Sequence, residues 1–353
     1  MTVRMSRRAA LLATALGVAM GRRGDVVADD AVAPEPVAFP RDEGVHRDAL
    51  TEWWYYTGHL ETAGGETFGF EHVFFRATRN SLRGWAAHCA LTDKRAPGFR
   101  YDQRIVVGEA EGDLDAPGMD FLVDGWRIAG LEGEDRIVGS VDGASWRLKL
   151  SSTKPPVLHG GDGYTRGSNS ETSYYYSRTR YAVEGTLIRD GEPEAVTGIG
   201  WMDHQWGSFT SFSEGGWDWF ALQLDDDTEL MAYFVRDAAD VPYLSSGTFV
   251  EADGAFFELP ATAFAIASSG RWTSPESGGT YPMGWTLDYP GRQLSLVIEP
   301  VLEAQELDTR DSTMVTYWEG AVDITGTLAG AGITGRGYVE MTGYARGRDG
   351  NVP

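Results

Sequence analysis

The residues with the clearest capacity for chemistry lie in the stretch TGIGWMDHQWG, residues 197–207. It places Asp203 and His204 between Trp201 and Trp206. A carboxyl group surrounded by aromatic rings loses hydration, which raises its pKa and allows it to hold a proton near neutral pH. Each ring face also attracts a cation by about 0.5–2 kcal/mol. The pattern fits acid catalysis on an apolar substrate, with Asp203 as the acid and His204 placing water or tuning the carboxyl group.

The same stretch alternates as a β-strand does, so its side chains fall on two faces. One face carries Trp201, Asp203 and Gln205, and the other carries Met202, His204 and Trp206. Either face can point into a barrel or toward a second domain, and both orientations stay open. Structural roles also stay open, with Asp203 as a hydrogen-bonded carboxylate at a domain junction and His204 as a buried histidine.

The elements that must position these residues are short. Alternating runs separated by Gly, Asp, Asn and Pro recur along the chain, and long helical periodicity is missing. Examples are EWWYYTGHL, TFGFEHVFF, SWRLKL, RYAVEGTLI, ELMAYFV and RQLSLVI. This spacing predicts an all-β protein built from antiparallel barrels or sandwiches.

Two parts of the chain resemble each other. The matching segments are 52–76 with 216–236, and 183–203 with 318–340. The aligned pairs include Trp53 with Trp217, Tyr55 with Trp219, Glu184 with Glu319, and Asp203 with Glu340. A shared opening hairpin and closing strand predict two duplicated barrel domains, residues 35–207 and 208–353. Glu340 is then either a relic of the duplication or a partner of Asp203.

The N-terminus has the pattern of an export leader, residues 1–28. Arg7 and Arg8 precede an uncharged run, residues 9–21, that is too short to span a bilayer. The sequence VVA at residues 26–28 offers a small-residue cleavage site. The arginine pair favours the twin-arginine route, which predicts an exported protein, extracellular or periplasmic. An N-terminal membrane anchor is the alternative.

Charge and cysteine content limit the partners. The formal net charge is −22, and removal of the basic leader makes the chain more acidic still. Such a chain repels nucleic acid and anionic lipid headgroups, so we expect neither nucleic-acid binding nor stable membrane insertion after leader removal. The single cysteine, Cys89, excludes an intrachain disulfide, and its apolar neighbours predict a buried, inert thiol.

Several motifs together are similar to one known family. They are EWWYYTGHL (52–60), FGFEHVFFR (68–76), HCALTD (88–93), KPPVLHGGDGY (154–164), YYYSRTR (174–180), GIGWMDHQWG (198–207), WDWFALQL (217–224), YWEGAVDITG (317–326) and GRGYVEMTGY (335–344). The chain resembles the AttH-like/carotenoid 1,2-hydratase superfamily. The resemblance implies two tandem lipocalin-like antiparallel β-barrel domains. It also implies one of several functions, since members include alkene hydratases, relatives that guide cycloadditions, and secreted bacterial proteins described as hydrolases.

The resemblance implies Asp203 as the proton donor of a hydratase, and we expect His204 to assist it. Aromatic residues of the matching strands are the predicted contacts of an apolar, isoprenoid-like or carotenoid-like substrate: Trp53, Trp54, Tyr55, Tyr174, Tyr176, Trp201, Trp206 and Trp217. Barrel core is the alternative role for these rings. Glu52 and the pair Glu71-His72 are expected at a cavity mouth, on the surface or in salt bridges.

The first functional hypothesis is cofactor-free, acid-catalysed hydration of an isoprenoid-like alkene, which requires no metal. Three others stay open: a non-catalytic carrier of a hydrophobic molecule, a pericyclase-like catalyst that only shapes its substrate, and a hydrolase. The sequence contains no Gly-x-Ser-x-Gly elbow and no His-Glu-x-x-His metal motif. The Gly-rich segment HGGDGYTRGSN, residues 159–169, is predicted to be a loop over the cavity or over the boundary between the domains.

Overall fold

The computed structural model describes residues 35–79, 82–95, 98–166, 172–209 and 215–345. The predicted leader therefore lies outside the described residues. Within these ranges the chain is mostly β-structure, with single-turn 3-10 helices at Arg41–Glu43 and Pro290–Arg292. Neither helix has the length and apolar character needed to cross a membrane, and the described ranges hold no other candidate.

The first sheet contains 13 antiparallel strands in the described ranges. They are β1 (Thr51–Thr62), β2 (Thr67–Arg79), β3 (Leu82–Asp93), β4 (Gly98–Val107), β5 (Glu111–Gly112), β6 (Met119–Val123), β7 (Trp126–Leu131), β8 (Glu134–Val141), β9 (Ala144–Ser152), β10 (Val157–Leu158), β11 (Tyr164–Arg166), β12 (Thr172–Arg189) and β13 (Glu192–Gly207). Their order is β4-β3-β2-β1-β13-β12-β9-β8-β7-β6-β5, with β10 and β11 on β12. Strands β3 and β4 approach β6 and β8, so the sheet curls on itself.

The second sheet contains 10 antiparallel strands in the part of the chain that follows residue 215. They are β14 (Trp217–Leu224), β15 (Glu229–Arg236), β16 (Pro242–Val250), β17 (Phe256–Pro260), β18 (Ala265–Thr273), β19 (Thr280–Tyr289), β20 (Leu294–Pro300), β21 (Glu306–Asp308), β22 (Thr316–Leu328) and β23 (Ala331–Thr342). Their order is β17-β16-β15-β14-β23-β22-β20-β19-β18, with β21 on β22. Two curled antiparallel sheets confirm the predicted fold class of tandem lipocalin-like β-barrel domains. The exact domain boundaries stay predictions.

Each sheet buries one face in its own interior. The first interior is filled by large apolar side chains, among them Trp54, Phe74, Trp85, Phe121 and Trp146. The second contains Phe220, Phe249, Trp285, Leu296 and Trp318. Because side chains alternate along a strand, the central strands of each sheet also have a second face.

These second faces meet between the two sheets, and we call this contact the seam. It is formed by β1, β2, β12 and β13 from the first sheet and by β14, β15, β22 and β23 from the second. Its buried apolar residues are Tyr55, Val73, Tyr175, Trp201, Trp219, Ala221, Met231, Ala321 and Tyr338. Gly69 permits this close approach, because a Cβ atom there would lie 2.5 Å from the hydroxyl of Tyr338.

The internal repeat has matching strand registers on the two sides of the seam. Asp203 pairs with Tyr55, as Glu340 pairs with Trp219. One aligned pair from the sequence is wrong. Glu319 pairs with Glu340, whereas Ser177, rather than Glu184, pairs with Asp203. The error arises because Glu184 lies near the turn between β12 and β13 and pairs with Thr197, whereas Glu319 lies farther from the turn between β22 and β23. A bulge between Arg178 and Tyr181 adds a shift of one residue.

Candidate functional site

Asp203 lies on the central strand β13, between Tyr55 of β1 and Ser177 of β12. Its side chain points out of the first barrel and into the seam, where it is 4% exposed. Within the described residues, no cationic side chain forms an ion pair with it. Arg178, on the neighbouring strand β12, instead pairs with Glu43.

Three donors hold the two carboxylate oxygens of Asp203. Oδ1 accepts hydrogen bonds from Trp201 Nε1 at 2.7 Å and from Ser177 Oγ at 2.5 Å. Oδ2 accepts one from Tyr175 Oη at 2.6 Å. Burial raises the pKa of Asp203 to about 6, while these hydrogen bonds limit the rise. The group can therefore change its protonation state near neutral pH.

A second layer supports these donors. His159 Nε2 lies 2.7 Å from Ser177 Oγ, and His159 Nδ1 lies 3.1 Å from Thr248 Oγ1 of the second sheet. Burial lowers the pKa of His159 to about 3, so its neutral ring donates through one nitrogen. Trp219 Nε1 donates to Tyr175 Oη at 3.3 Å. The start of the Gly-rich segment thus contacts both sheets.

The second sheet presents Glu340 at the position equivalent to Asp203. It lies on β23 between Trp219 and Glu319 and is half-buried. Its Oε2 accepts a hydrogen bond from Trp217 Nε1 at 3.0 Å. Burial raises the pKa of Glu340 to about 7, and the negative charge of Asp203 adds to the rise. Both halves of the repeat therefore bring a carboxyl group to the seam.

Two further glutamates belong to the same acidic region. Glu319 Oε1 accepts a hydrogen bond from Tyr55 Oη at 2.6 Å, and Glu71 Oε1 accepts one from Tyr317 Oη at 2.7 Å. The second oxygen of each carboxyl group is buried without a hydrogen-bond partner. Burial raises the pKa of both, that of Glu71 to about 8. A buried carboxyl group with an unpartnered oxygen is more stable when neutral, so both groups favour the protonated form.

Aromatic rings surround the seam carboxyl groups. Trp219 packs edge-on against Tyr55 and Trp201, with ring centroids 5.2 and 6.1 Å apart. Half-buried side chains gather at the end of the seam nearest the connection from β13 to β14: Trp53, Phe75, Gln205, Trp217, Tyr233 and Glu340. Their partial exposure leaves this end of the seam accessible to solvent, whereas Asp203 itself is buried.

His204 lies on the opposite face of β13, inside the first barrel. Its Nε2 lies 3.0 Å from Glu52 Oε1, and His46 Nδ1 lies 2.7 Å from the same oxygen. Trp54 stacks on the His204 ring, with centroids 4.7 Å apart. Burial lowers the pKa of His204 to about 4. The structure therefore does not bring His204 to Asp203, because neighbouring residues of a strand point to opposite faces.

The same interior group has the spacing of metal ligands. Ligand atoms of His46, Glu52 and His204 lie within 4.8 Å of one another, in the part of the chain that the structure describes. The two imidazoles are already hydrogen-bonded to Glu52, and Arg76 Nη1 lies 3.9 Å from Glu52 Oε2. A guanidinium beside the carboxylate opposes the binding of a metal cation, so hydrogen bonding accounts for this cluster.

The predicted substrate contacts divide between these two environments. Four belong to the seam: Trp53, Tyr55, Trp201 and Trp217. Four pack in or against the interior of the first barrel: Trp54, Tyr174, Tyr176 and Trp206. Trp54 and Tyr176 have no exposed surface and serve as barrel core.

Three polar residues expected at a cavity mouth, on the surface or in salt bridges are fully buried: Glu52, Glu71 and His72. Of the three, Glu52 has the ion pairs that the salt-bridge alternative predicts. Glu71 faces the seam, whereas Glu52 and His72 lie inside the barrel, with His72 Nδ1 3.2 Å from the sulfur of Cys89. Cys89 is buried as predicted, and burial raises the pKa of its thiol.

Reasoning from the sequence also missed residues that contact Asp203. It considers Tyr174, Tyr175 and Tyr176 for the cavity wall but selects only the first and the last as substrate contacts, and it omits Ser177. Tyr175 and Ser177 are the two whose side chains hydrogen-bond to Asp203. Strand alternation was the available signal, since Tyr175 and Ser177 share one face of β12. His159 begins the Gly-rich segment predicted to lie over the cavity or the domain boundary, but its contacts with Ser177 and Thr248 depend on how the loop folds back.

The sequence matches the AttH-like family over residues 30–344. An AttH protein from Nitrosomonas europaea is similar in structure, with a TM-score of 0.79 and 32% identity over 89% of this chain and 98% of that chain. Kievitone hydratase from Nectria haematococca shares the fold at a TM-score of 0.70 and 18% identity, over 87% of this chain and 93% of its own. Curated proteins give no match. With a family match across nearly all of the described residues, this chain belongs to the AttH-like family.

Proposed function

We propose that this protein is a cofactor-free hydratase that adds water to an apolar, isoprenoid-like alkene within the seam. The observation that carries this proposal is Asp203, a buried carboxyl group without a cationic partner in the described residues, held among Trp201, Tyr175 and Trp219. A site of this kind combines a proton-transfer group with ring faces that stabilise positive charge.

Hydration of an isolated alkene has three requirements. A proton must reach carbon, the resulting carbocation must be shielded, and one water molecule must attack it. A carboxyl group with a pKa of about 6 exchanges protons close to neutral pH, as efficient acid-base catalysis requires. Trp219 and Trp201 present aromatic surface beside it, which attracts a developing cation.

The family comparison supports the same reaction class. Kievitone hydratase has the same fold, and its name identifies it as an enzyme that hydrates kievitone. The apolar ligand, the isoprenoid-like substrate class and export by the twin-arginine route are parts of this proposal. The formal net charge of −22 opposes lasting association with anionic lipid headgroups.

The test is turnover by the purified protein in water labelled with heavy oxygen. Probes are kievitone, an acyclic carotenoid and a short isoprenoid alkene, each followed by mass spectrometry. We expect at least one probe to gain one labelled water. We expect the Asp203→Asn variant to lose at least about 100-fold in rate, the contribution typical of a general acid or base.

The control variant is Trp54→Phe, a change inside the first barrel, which should leave turnover within about threefold because it leaves the seam residues in place. Binding of a probe without product, at equal affinity in wild type and Asp203→Asn, would instead identify a carrier. Turnover that survives Asp203→Asn would favour a pericyclase-like catalyst. Cleavage of an ester probe with loss on Asp203→Asn would favour a hydrolase.

A further inference from the structure

We propose that the two carboxyl groups of the seam divide the proton transfers, with Glu340 as the acid that protonates the alkene carbon and Asp203 as the base that deprotonates the attacking water. This assignment rests on the proposed hydratase function. It reverses the expectation that Asp203 is the proton donor.

The hydrogen bonds of Asp203 favour its ionised form. Trp201 Nε1 can only donate, and Tyr175 Oη already accepts from Trp219 Nε1, which leaves its own proton for Asp203. When the neutral His159 ring donates from Nε2 to Ser177 Oγ, the hydroxyl proton of Ser177 is likewise left for Asp203. Three donors directed at one carboxyl group stabilise the carboxylate, which is the form a base requires.

Glu340 has the opposite environment. Within the described residues Trp217 is its single hydrogen-bond donor, and no cation pairs with it. Asp203 on the first sheet is the main negative charge that acts on it. Glu319 on β22 and Glu71 on β2 also face it but favour the protonated form, and Asp218 on β14 lies on the other face of its strand, where it pairs with Arg236. Like charges nearby favour the neutral form of a carboxyl group. Glu340 is also half-buried, whereas Asp203 is 4% exposed, so Glu340 is the more accessible of the two.

The reaction balances with these two groups alone. The π electron pair of the alkene forms a C–H bond with the Glu340 proton, which leaves a Glu340 carboxylate and a carbocation. Water then forms the C–O bond to this cation as one of its protons passes to the Asp203 carboxylate. The sum is addition of one water, with one proton moved from Glu340 to Asp203. Transfer of that proton back to Glu340 through water or solvent restores the starting state.

The first experiment measures protonation without any substrate. Infrared difference spectra of wild type against Glu340→Gln and against Asp203→Asn isolate the carbonyl stretch of each protonated carboxyl group as pH is varied. We expect Glu340→Gln to remove a protonated group that is present near neutral pH. Asp203→Asn should remove one that appears only at lower pH, and it should lower the titration midpoint of Glu340. If Asp203 became protonated at a higher pH than Glu340, the assignment would be overturned.

The second experiment uses whichever probe the wild-type protein hydrates. Glu340→Gln should lower turnover by at least about 100-fold, as Asp203→Asn does. Glu340→Asp keeps an acid at this position, so it should recover part of the rate and move the alkaline limb of the kcat/KM profile. Asp203→Glu should move the acid limb instead. Turnover of Glu340→Gln within about threefold of wild type would overturn the assignment while leaving the hydratase function in place. If the wild-type protein hydrates none of the probes, the proposed hydratase function is wrong. The infrared titration then still shows which of the two carboxyl groups holds the proton near neutral pH.

Discussion

Two buried carboxyl groups lie on either side of the first sheet, in contrasting surroundings. Inside the barrel, Glu52 contacts His46 and His204 and lies 3.9 Å from the guanidinium of Arg76. In the seam, Asp203 is bound by hydroxyl and indole donors and has no cationic partner in the described ranges. Both are at least 96% inaccessible to solvent, so burial by itself does not distinguish them.

The difference lies in the compensating charge. Burial alone would raise the pKa of Glu52, but hydrogen bonds from His204 and His46 hold it below its ordinary value. The pKa of Asp203 stays raised at about 6, because its partners are neutral. A buried carboxyl group that is paired with cations stabilises the fold as a fixed anion, whereas one held by neutral donors remains free to exchange a proton.

The largest expected effect comes from removing the interior anion. Glu52→Ala leaves the buried guanidinium of Arg76 without its carboxylate, which should lower the free energy of unfolding by about 3–5 kcal/mol. Asp203→Asn should lower it by only about 1 kcal/mol, the net worth of one hydrogen bond. Urea denaturation of both variants measures the two losses. Equal losses would mean that the two carboxyl groups have the same structural role.

The pH dependence of stability should separate the two regions next. The pKa of Glu71 is raised from 4.5 to about 8. The contribution of its protonated form to the free energy of unfolding is therefore fully present below pH 4.5 and is lost as the pH rises to about 8. The Glu71→Gln variant should therefore gain stability relative to wild type across that window. The pKa of Glu52 is lowered. The contribution of its ionised form to the free energy of unfolding is therefore present above about pH 4.5 and is lost at lower pH.

Glu52→Gln is the matched variant for Glu71→Gln. Its deficit relative to wild type should be constant above pH 4.5, the ordinary pKa of a glutamate, and should shrink below it. Urea unfolding midpoints at a series of pH values measure both trends. If the two variants change in the same direction over the same pH range, the distinction between the seam and the interior is wrong.

The smallest effects test the register of the repeat. Ser177→Ala removes a donor to Asp203, so it should cost about 1 kcal/mol in unfolding free energy and raise the pKa of Asp203. Glu184→Ala changes a side chain that is 69% exposed, and its effect should stay within about 0.5 kcal/mol. Thermal or urea denaturation, with infrared titration of Asp203, compares the pair. A large loss of unfolding free energy for Glu184→Ala would instead support the position equivalent to Glu319 that the sequence alignment assigned to Glu184.

The amino-acid sequence predicts much of this architecture. Short alternating runs predict antiparallel β-structure, and the internal match predicts two related sheets. The alignment of Asp203 with Glu340 correctly predicts equivalent positions, since each lies opposite an aromatic residue of the neighbouring strand. These features depend on local periodicity and on similarity within the chain, which need no knowledge of packing.

The environment of each side chain was decided by the tertiary structure alone. Periodicity separates Asp203 from His204, but it does not say which of them faces the barrel interior. That choice depends on contacts between residues far apart in sequence, such as the hydrogen bond from Tyr55 to Glu319, which are 264 positions apart. The sequence by itself determined the strands, the repeat and the residue types available for chemistry. Only the packing of one sheet on the other determined which carboxyl groups lack cationic partners, because charge compensation is a property of the folded surroundings.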